Sequence, residues 1–221
     1  MFRPMSRSKK LSRRGFIVRA GLAGTGVLLG ATYFGRHAAR RGIAGMINSF
    51  EGPYSGNTKT PTLWFEITEL NEVIFHCPKV EMGQGTLTGL AQIAADELEV
   101  RIDQIKMVHA ATSTGNIDGA STGGSTSISS LWNPLRELAA TMREMVKNKA
   151  AEKMGIDVSQ LSVADGVITG YGQSMTYGQA VKGVTEWKIP KTPPLKDIKS
   201  YKYIGKPIAR IDLKEKVLGA P

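Results

Sequence analysis

Two loops carry the groups best suited to hold a ligand. The first is Glu81-Met82-Gly83-Gln84-Gly85-Thr86, lying between an apolar alternating stretch and a helical one. Gly83 and Gly85 let the backbone turn tightly and approach a ligand closely. A helix starting at Thr86 aims its first N–H groups and its positive dipole end at the loop, which suits an anion such as a phosphate. The Gln84 amide adds donors and an acceptor for the edge of a heterocycle. The second loop is Asp118-Gly119-Ala120-Ser121-Thr122-Gly123-Gly124-Ser125-Thr126-Ser127. It also opens a helix, and Gly123, Gly124, Ser125 and Thr126 can form a backbone nest for an anion. Each loop alone reads equally well as an ordinary turn. For the second, a flexible linker with Ser125 or Thr126 as N-cap is the other reading. Two donor-rich loops at helix starts, taken together, favour a large polyanionic ligand.

Common site chemistries are excluded by spacing. No Gly-Lys-Ser/Thr follows the first loop, so it is not a Walker loop. The glycines at 83, 85 and 89 are one residue too widely spaced for the dinucleotide fingerprint. Asp103 lies at a fitting distance downstream for a ribose contact, but it falls in the turn before a strand. His76 and His109 lie on predicted strands without a metal-ligand pattern and read as structural. Asp96, Glu97 and Glu99 share one helix and read as its solvated side. No Gly-x-Ser-x-Gly or HExxH occurs, and the residues offer binding groups without an evident base or nucleophile. The single cysteine, Cys77, permits no internal disulfide and no iron–sulfur cluster held by this chain alone, and reads as a buried strand residue.

The elements that must position these loops follow from periodicity. Leu63 to Glu69 and Glu72 to Val80 predict two strands around a turn near Leu70-Asn71. Leu87, Leu90, Ala91, Ala94 and Leu98 predict an amphipathic helix from Thr86 to about Glu99, and Ile105 to Ala110 another strand. A longer helical stripe runs from Ile128 to Val146, with Pro134 predicting a kink or a fresh start capped by Asn133. Asp165-Gly166 marks a hairpin, and Thr176-Tyr177-Gly178-Gln179 a capping box. Pro190, Pro193 and Pro194 mark an extended connection. The order predicts an α+β domain with a mixed sheet and two main helices.

Ten of the 29 Lys and Arg lie before Gly42, where no acidic residue occurs; the rest balance the 19 acidic residues. The high pI is thus a property of the leader, and a nucleic-acid partner is not expected. Within the leader, Ser12-Arg13-Arg14-Gly15-Phe16-Ile17 precedes an uncharged run from Gly21 to Phe34. This resembles a twin-arginine export signal, which is read by a machinery that moves folded, often cofactor-loaded, proteins. The run is shorter than the ~20 residues of a membrane span. Periplasmic export is expected, with the leader either cleaved or kept as an anchor. The expected organisation is a signal segment over 1–41, a linker over 42–61, a ligand-binding domain over 62–186, and a further linker over 187–221.

Lys79-Val80-Glu81-Met82-Gly83-Gln84-Gly85, the helix ending Ala95-Asp96-Glu97-Leu98, and the segment from Ser121 to Ser127 resemble the molybdopterin-binding subunit of the xanthine dehydrogenase and aldehyde oxidase family. With the twin-arginine leader, the resemblance is to the N-terminal portion of its isoquinoline 1-oxidoreductase beta-subunit-like members. It implies a molybdopterin cytosine dinucleotide cofactor containing molybdenum. Gly83, Gln84, Gly85 and the adjoining Thr86 would meet the pterin or its phosphate. Gly123, Gly124, Ser125 and Thr126 would line the dinucleotide. It further implies oxidative hydroxylation of aldehydes or N-heterocycles, with a [2Fe–2S] protein as partner and a cytochrome c as an acceptor. Tyr203 to Asp212, with Lys216-Val217-Leu218-Gly219, resembles the entry to the family's hammerhead-like domain. The family's glutamate base lies beyond that entry. No catalytic residue or metal ligand is therefore assigned, and the chain alone is expected to be inactive and to need a chain carrying the remaining pocket; the alternative reading is a truncated, non-catalytic envelope binding or assembly module without cofactor. If its faces normally pack on that other part, Trp64, Leu131 and Trp132 are expected as an exposed apolar patch.

Overall fold

The computed structural model describes residues 56–111 and 122–219. The twin-arginine segment, the apolar run behind it, and residues 118–121 of the second loop lie outside the described residues. The described part is a mixed helix-and-sheet domain with two main helices, as the periodicity predicts.

Strand β1 (Phe65–Ile67) pairs antiparallel with β2 (Val73–Cys77), Phe65 opposite Phe75. The turn between them is closed by the Thr68 N–H on the Glu72 carbonyl at 2.9 Å. β3 (Ile105–His109) joins the other side of β2 in parallel. Parallel pairing needs a crossover, and helix α1 (Thr86–Leu98) supplies it. Val73, Phe75 and Cys77 alternate into the core, where the Phe75 ring meets Phe65 and Trp64 at 5.0 and 6.2 Å.

Helix α2 (Ser127–Met154) packs across α1 through Leu131, Leu135, Leu138 and Met142, all buried. It runs through Pro134 without interruption, so Asn133 caps nothing. The lost backbone hydrogen bond is outweighed by a continuous buried stripe on both sides of the proline. A Cβ at Gly89 would come within 2.9 Å of the Ile128 side chain. The third glycine of the first motif thus serves the contact between α1 and α2.

A second sheet is a meander of β4 (Ser162–Ala164), β5 (Val167–Gly170) and β6 (Gln173–Thr176). Asp165 and Gly166, at φ 53° and 74°, form the predicted tight hairpin. The polar strand β6 has no apolar alternation to announce it. Its signal is the second left-handed pair, Tyr171 and Gly172 at φ 48° and 76°. The Thr176–Gln179 capping box opens helix α3 (Tyr177–Val181) as predicted. The buried Tyr177 hydroxyl donates to the Leu98 carbonyl at 2.7 Å, tying this sheet to the end of α1.

Two expectations are overturned. Asp96 and Glu97 are not a solvated face: both have zero exposure. The Asp96 carboxylate accepts the N–H groups of Lys202, Tyr203 and Ile204 at 2.7, 3.0 and 2.8 Å. Glu97 accepts the Lys196 N–H at 2.9 Å and the Arg136 guanidinium at 2.7 Å. Arg143 bonds the Glu97 carbonyl at 2.7 Å and the Pro194 carbonyl. A buried charge persists only when paired and hydrogen-bonded, and residues 194–204 supply those partners. Nor do Trp64, Leu131 and Trp132 form an exposed patch. Trp64 and Leu131 are fully buried, and Trp132 is half-covered with the Arg136 guanidinium 5.4 Å from its ring.

The start of α1 is held by a side chain. Gly85, left-handed at φ 78°, occupies the cap position, but the Glu81 carboxylate accepts the N–H groups of Gly83, Gly85 and Leu87 at 2.8, 2.9 and 3.2 Å. Burial alone would raise the Glu81 carboxyl; these amides together with Arg210 bring it below its ordinary value.

Asp96→Asn is expected to cost about 3–5 kcal/mol, because three N–H groups lose a carboxylate and its charge partner Lys196, 3.6 Å away, remains buried. Urea denaturation reads this, with the exposed Glu152→Gln within about 0.5 kcal/mol of wild type as control. For Glu81, a lowered carboxyl means stability complete above the unfolded value of about 4.3 and lost as pH falls through the folded one. Glu81→Gln should therefore cost about 1.5–3 kcal/mol at neutral pH and flatten the decline below roughly pH 5. Parallel acid limbs in the two proteins would contradict this role.

Candidate functional site

The two sequence-predicted loops meet. The Val80 N–H donates to the Thr122 hydroxyl at 2.9 Å, across 42 residues of chain. Between them lies a cleft of about 440 Å³ bordered by Met82, Gln84 and Thr86 on one side and by Thr122, Gly123, Gly124, Ser125, Ser127 and Ile128 on the other. Of the expected residues, Gln84, Thr86, Gly123, Gly124 and Ser125 border the cleft. Gly83, Gly85 and Thr126 stand behind it and shape the loops. Met82, Thr122, Ser127 and Ile128 were not singled out from sequence, although they flank the same motifs.

In the first loop the expected free N–H groups are not free. Those of Gly83, Gly85 and Leu87 are occupied by Glu81, so the chain provides its own anion at the start of α1. Gly83, at φ 102°, holds a conformation that side chains rarely adopt. Gln84 is braced across the loop: its amide nitrogen donates to the Val80 carbonyl at 2.8 Å, and its amide oxygen accepts the Met82 N–H. One hydrogen and one lone pair of that amide remain for a ligand. Arg210 closes the loop from the far end of the chain, donating to the Gly83 carbonyl at 2.7 Å and to Glu81 at 3.2 Å.

The second loop is built differently. Gly124 and Ser125 are both left-handed at φ 61° and make a tight turn before α2. Thr126 occupies the cap position, but its hydroxyl donates to the Gly123 carbonyl at 3.1 Å and caps no helix amide. Among the described residues, no carboxylate caps the start of α2, unlike that of α1. A Cβ placed on Gly123 would meet no atom within 4 Å, so this glycine faces open space.

The lining chemistry is hydroxyls, one side-chain amide and glycine backbone, with apolar surface from Met82 and Ile128. This lining suits holding an extended polar, anionic ligand. The other candidates stand elsewhere. Asp103 sits in the 3-10 turn Ile102–Gln104, paired with Arg101 at 3.0 Å. His76 faces Glu66 at 3.9 Å on the first sheet, and His109 ends β3. Cys77 is buried with its thiol pushed up to about 11, chiefly by burial, as an inert strand residue.

Comparison with known proteins agrees with this geometry. Residues 31–215 match the family model of the molybdopterin cofactor-binding domain. The chain is 32% identical over 90% of its length to the second, B-type component of nicotinate dehydrogenase from Pseudomonas putida. It is 29% identical over 77% to a membrane-bound aldehyde dehydrogenase (pyrroloquinoline-quinone) of Gluconacetobacter polyoxogenes. It is 29% identical over 84% to the beta subunit of isoquinoline 1-oxidoreductase from Brevundimonas diminuta. The chain spans 16%, 21% and 23% of the length of these relatives. With a family match over most of its length and the two motif loops gathered at one cleft, the chain belongs to the molybdopterin cofactor-binding domain family.

Proposed function

We propose that this chain contributes part of the cofactor site of a molybdenum hydroxylase, holding molybdopterin in its cytosine dinucleotide form. The observation that carries the reading is the meeting of two donor-lined loops, 42 residues apart, in one cleft of about 440 Å³. The residues fit the group: open space at Gly123 receives a bulky ligand, the start of α2, where Thr126 caps no amide, favours its phosphates, and Gln84 keeps amide capacity for a heterocycle edge. When bound, the cofactor supplies the redox and oxygen-transfer chemistry. The chain's own residues hold and orient it. Thr86, Thr122, Ser125 and Ser127 offer hydroxyls, while Met82 and Ile128 shield it from water.

The substrate class is aldehydes or N-heterocycles, in line with the names nicotinate dehydrogenase and isoquinoline 1-oxidoreductase borne by two relatives. The remaining pocket, including the base, is supplied by residues outside these 221. Electrons leave through a [2Fe–2S] protein to an acceptor such as a cytochrome c. Twin-arginine export to the periplasm follows cofactor insertion.

Purified from the periplasm of its host with its co-purifying chains, the protein should carry near-stoichiometric molybdenum, measured by elemental analysis. Gly123→Leu fills the cleft where nothing else is displaced, so it should abolish cofactor retention and leave the thermal midpoint unchanged. Equal molybdenum in the two proteins refutes the site. The 221-residue chain, freed of partners, should turn over neither aldehydes nor N-heterocycles. Turnover by that single chain would remove the need for a partner.

A further inference from the structure

Arg210 lies outside both loops that border the cleft, yet it is the contact through which the distant chain reaches the first of them. Its Nε and Nη2 make a two-point pair with Asp212 at 2.9 and 2.7 Å. Asp212 is also gripped by Lys216 at 2.6 Å, one turn along helix α4 (Leu213–Leu218). Arg210 and Lys216 hold the Asp212 carboxyl well below the usual carboxylate range. The guanidinium so oriented spends its remaining reach on the loop, on the Gly83 carbonyl at 2.7 Å and the Glu81 carboxylate at 3.2 Å. Its Nη1 lies 4.0 Å from where a Cβ on Gly85 would stand. Beside it, the Ile211 N–H donates to the Thr88 hydroxyl on α1 at 3.3 Å.

A fork of fixed geometry is what such a site requires. Arg presents several donors in one plane, so a single side chain can satisfy a carboxylate on one edge and a carbonyl on another, which a lysine cannot reproduce. Glu81 already takes three loop amides, so a cation on Glu81 fixes the carboxylate, and the carboxylate fixes Gly83 and Gly85.

We infer that Arg210, oriented by Asp212, is a positioning residue that holds the Gly83–Gly85 loop in the shape that receives the cofactor. The inference rests on the cofactor reading proposed above. Arg210 does not border the cleft; it acts through Glu81 and the Gly83 carbonyl. The family's cofactor loop is thereby made dependent on a segment more than a hundred residues downstream.

The test uses the full chain from its host, with its co-purifying chains, as wild type, Arg210→Ala, Arg210→Lys and Asp212→Asn. Two quantities are read: molybdopterin per chain, from the fluorescence of the oxidised pterin, and amide hydrogen exchange at Gly83, Gly85 and Leu87. Arg210→Ala should lower pterin content about tenfold and speed exchange of the three loop amides about tenfold, while exchange at Ile168 in the second sheet is unchanged. Asp212→Asn should move both in the same direction by less. Arg210→Lys should fall between alanine and wild type, and free guanidinium ion should restore pterin content to Arg210→Ala. Wild-type pterin content in Arg210→Ala overturns the inference, as does a pterin loss with unchanged loop exchange. Wild-type protein devoid of pterin, by contrast, defeats the cofactor reading itself and this inference with it.

Discussion

Two adjacent carboxylates at the end of one helix impose the condition that the rest of the structure meets. Asp96 and Glu97 lie where no water reaches them. An unpaired ion there would be costly enough to unfold a domain of ordinary stability. The chain answers with backbone N–H groups from residues 196 and 202–204 and with Arg136 and Arg143 of α2. One pair of side chains thus joins three pieces of structure: α1, α2 and the extended segment that follows the second sheet. The neighbouring carbonyls of Leu98 and Glu99 bond Tyr177 and Gly166, which brings the second sheet to the same point.

The opposite end of α1 is governed by the same electrostatics. Glu81 accepts the Gly83, Gly85 and Leu87 amides and sets its charge against the dipole at that end. Among the described residues no carboxylate does the same for helix α2, whose loop carries two consecutive left-handed residues. The two walls of the cleft are thus built differently, the first braced by Glu81 and Gln84 and the second by a tight turn with the Thr126 hydroxyl on the Gly123 carbonyl.

Local patterns were readable wherever a neighbour within a few residues decides the structure. The Thr86–Leu98 helix, the strand at Ile105–His109, the Asp165-Gly166 hairpin and the Thr176–Gln179 box all follow from periodicity or turn chemistry. Both motif loops were legible as glycine- and hydroxyl-rich turns at helix starts, and the structure brings them to one cleft. What sequence reasoning missed depends on partners far along the chain. Asp96 and Glu97 look like solvent-facing acids until the N–H groups from 106 to 108 residues away from Asp96 are seen on them. Glu81 looks like one more loop residue, and only its three-dimensional position shows it to be the cap. Pro134 suggested a break because the rule for proline is local, whereas the packing that overrides it is not.

The clamp on Asp96 also dictates an order of events during synthesis. A chain emerging from the ribosome presents α1 long before the amides of Lys202, Tyr203 and Ile204, 106 to 108 residues further on, exist. Until then the Asp96 carboxylate must remain in water, and the hydrophobic face of α1 beside it cannot be sealed. Contacts of such long sequence separation close late, after the costly loop between them has been ordered. The nascent domain is therefore held open at this corner until residue 204 has been made.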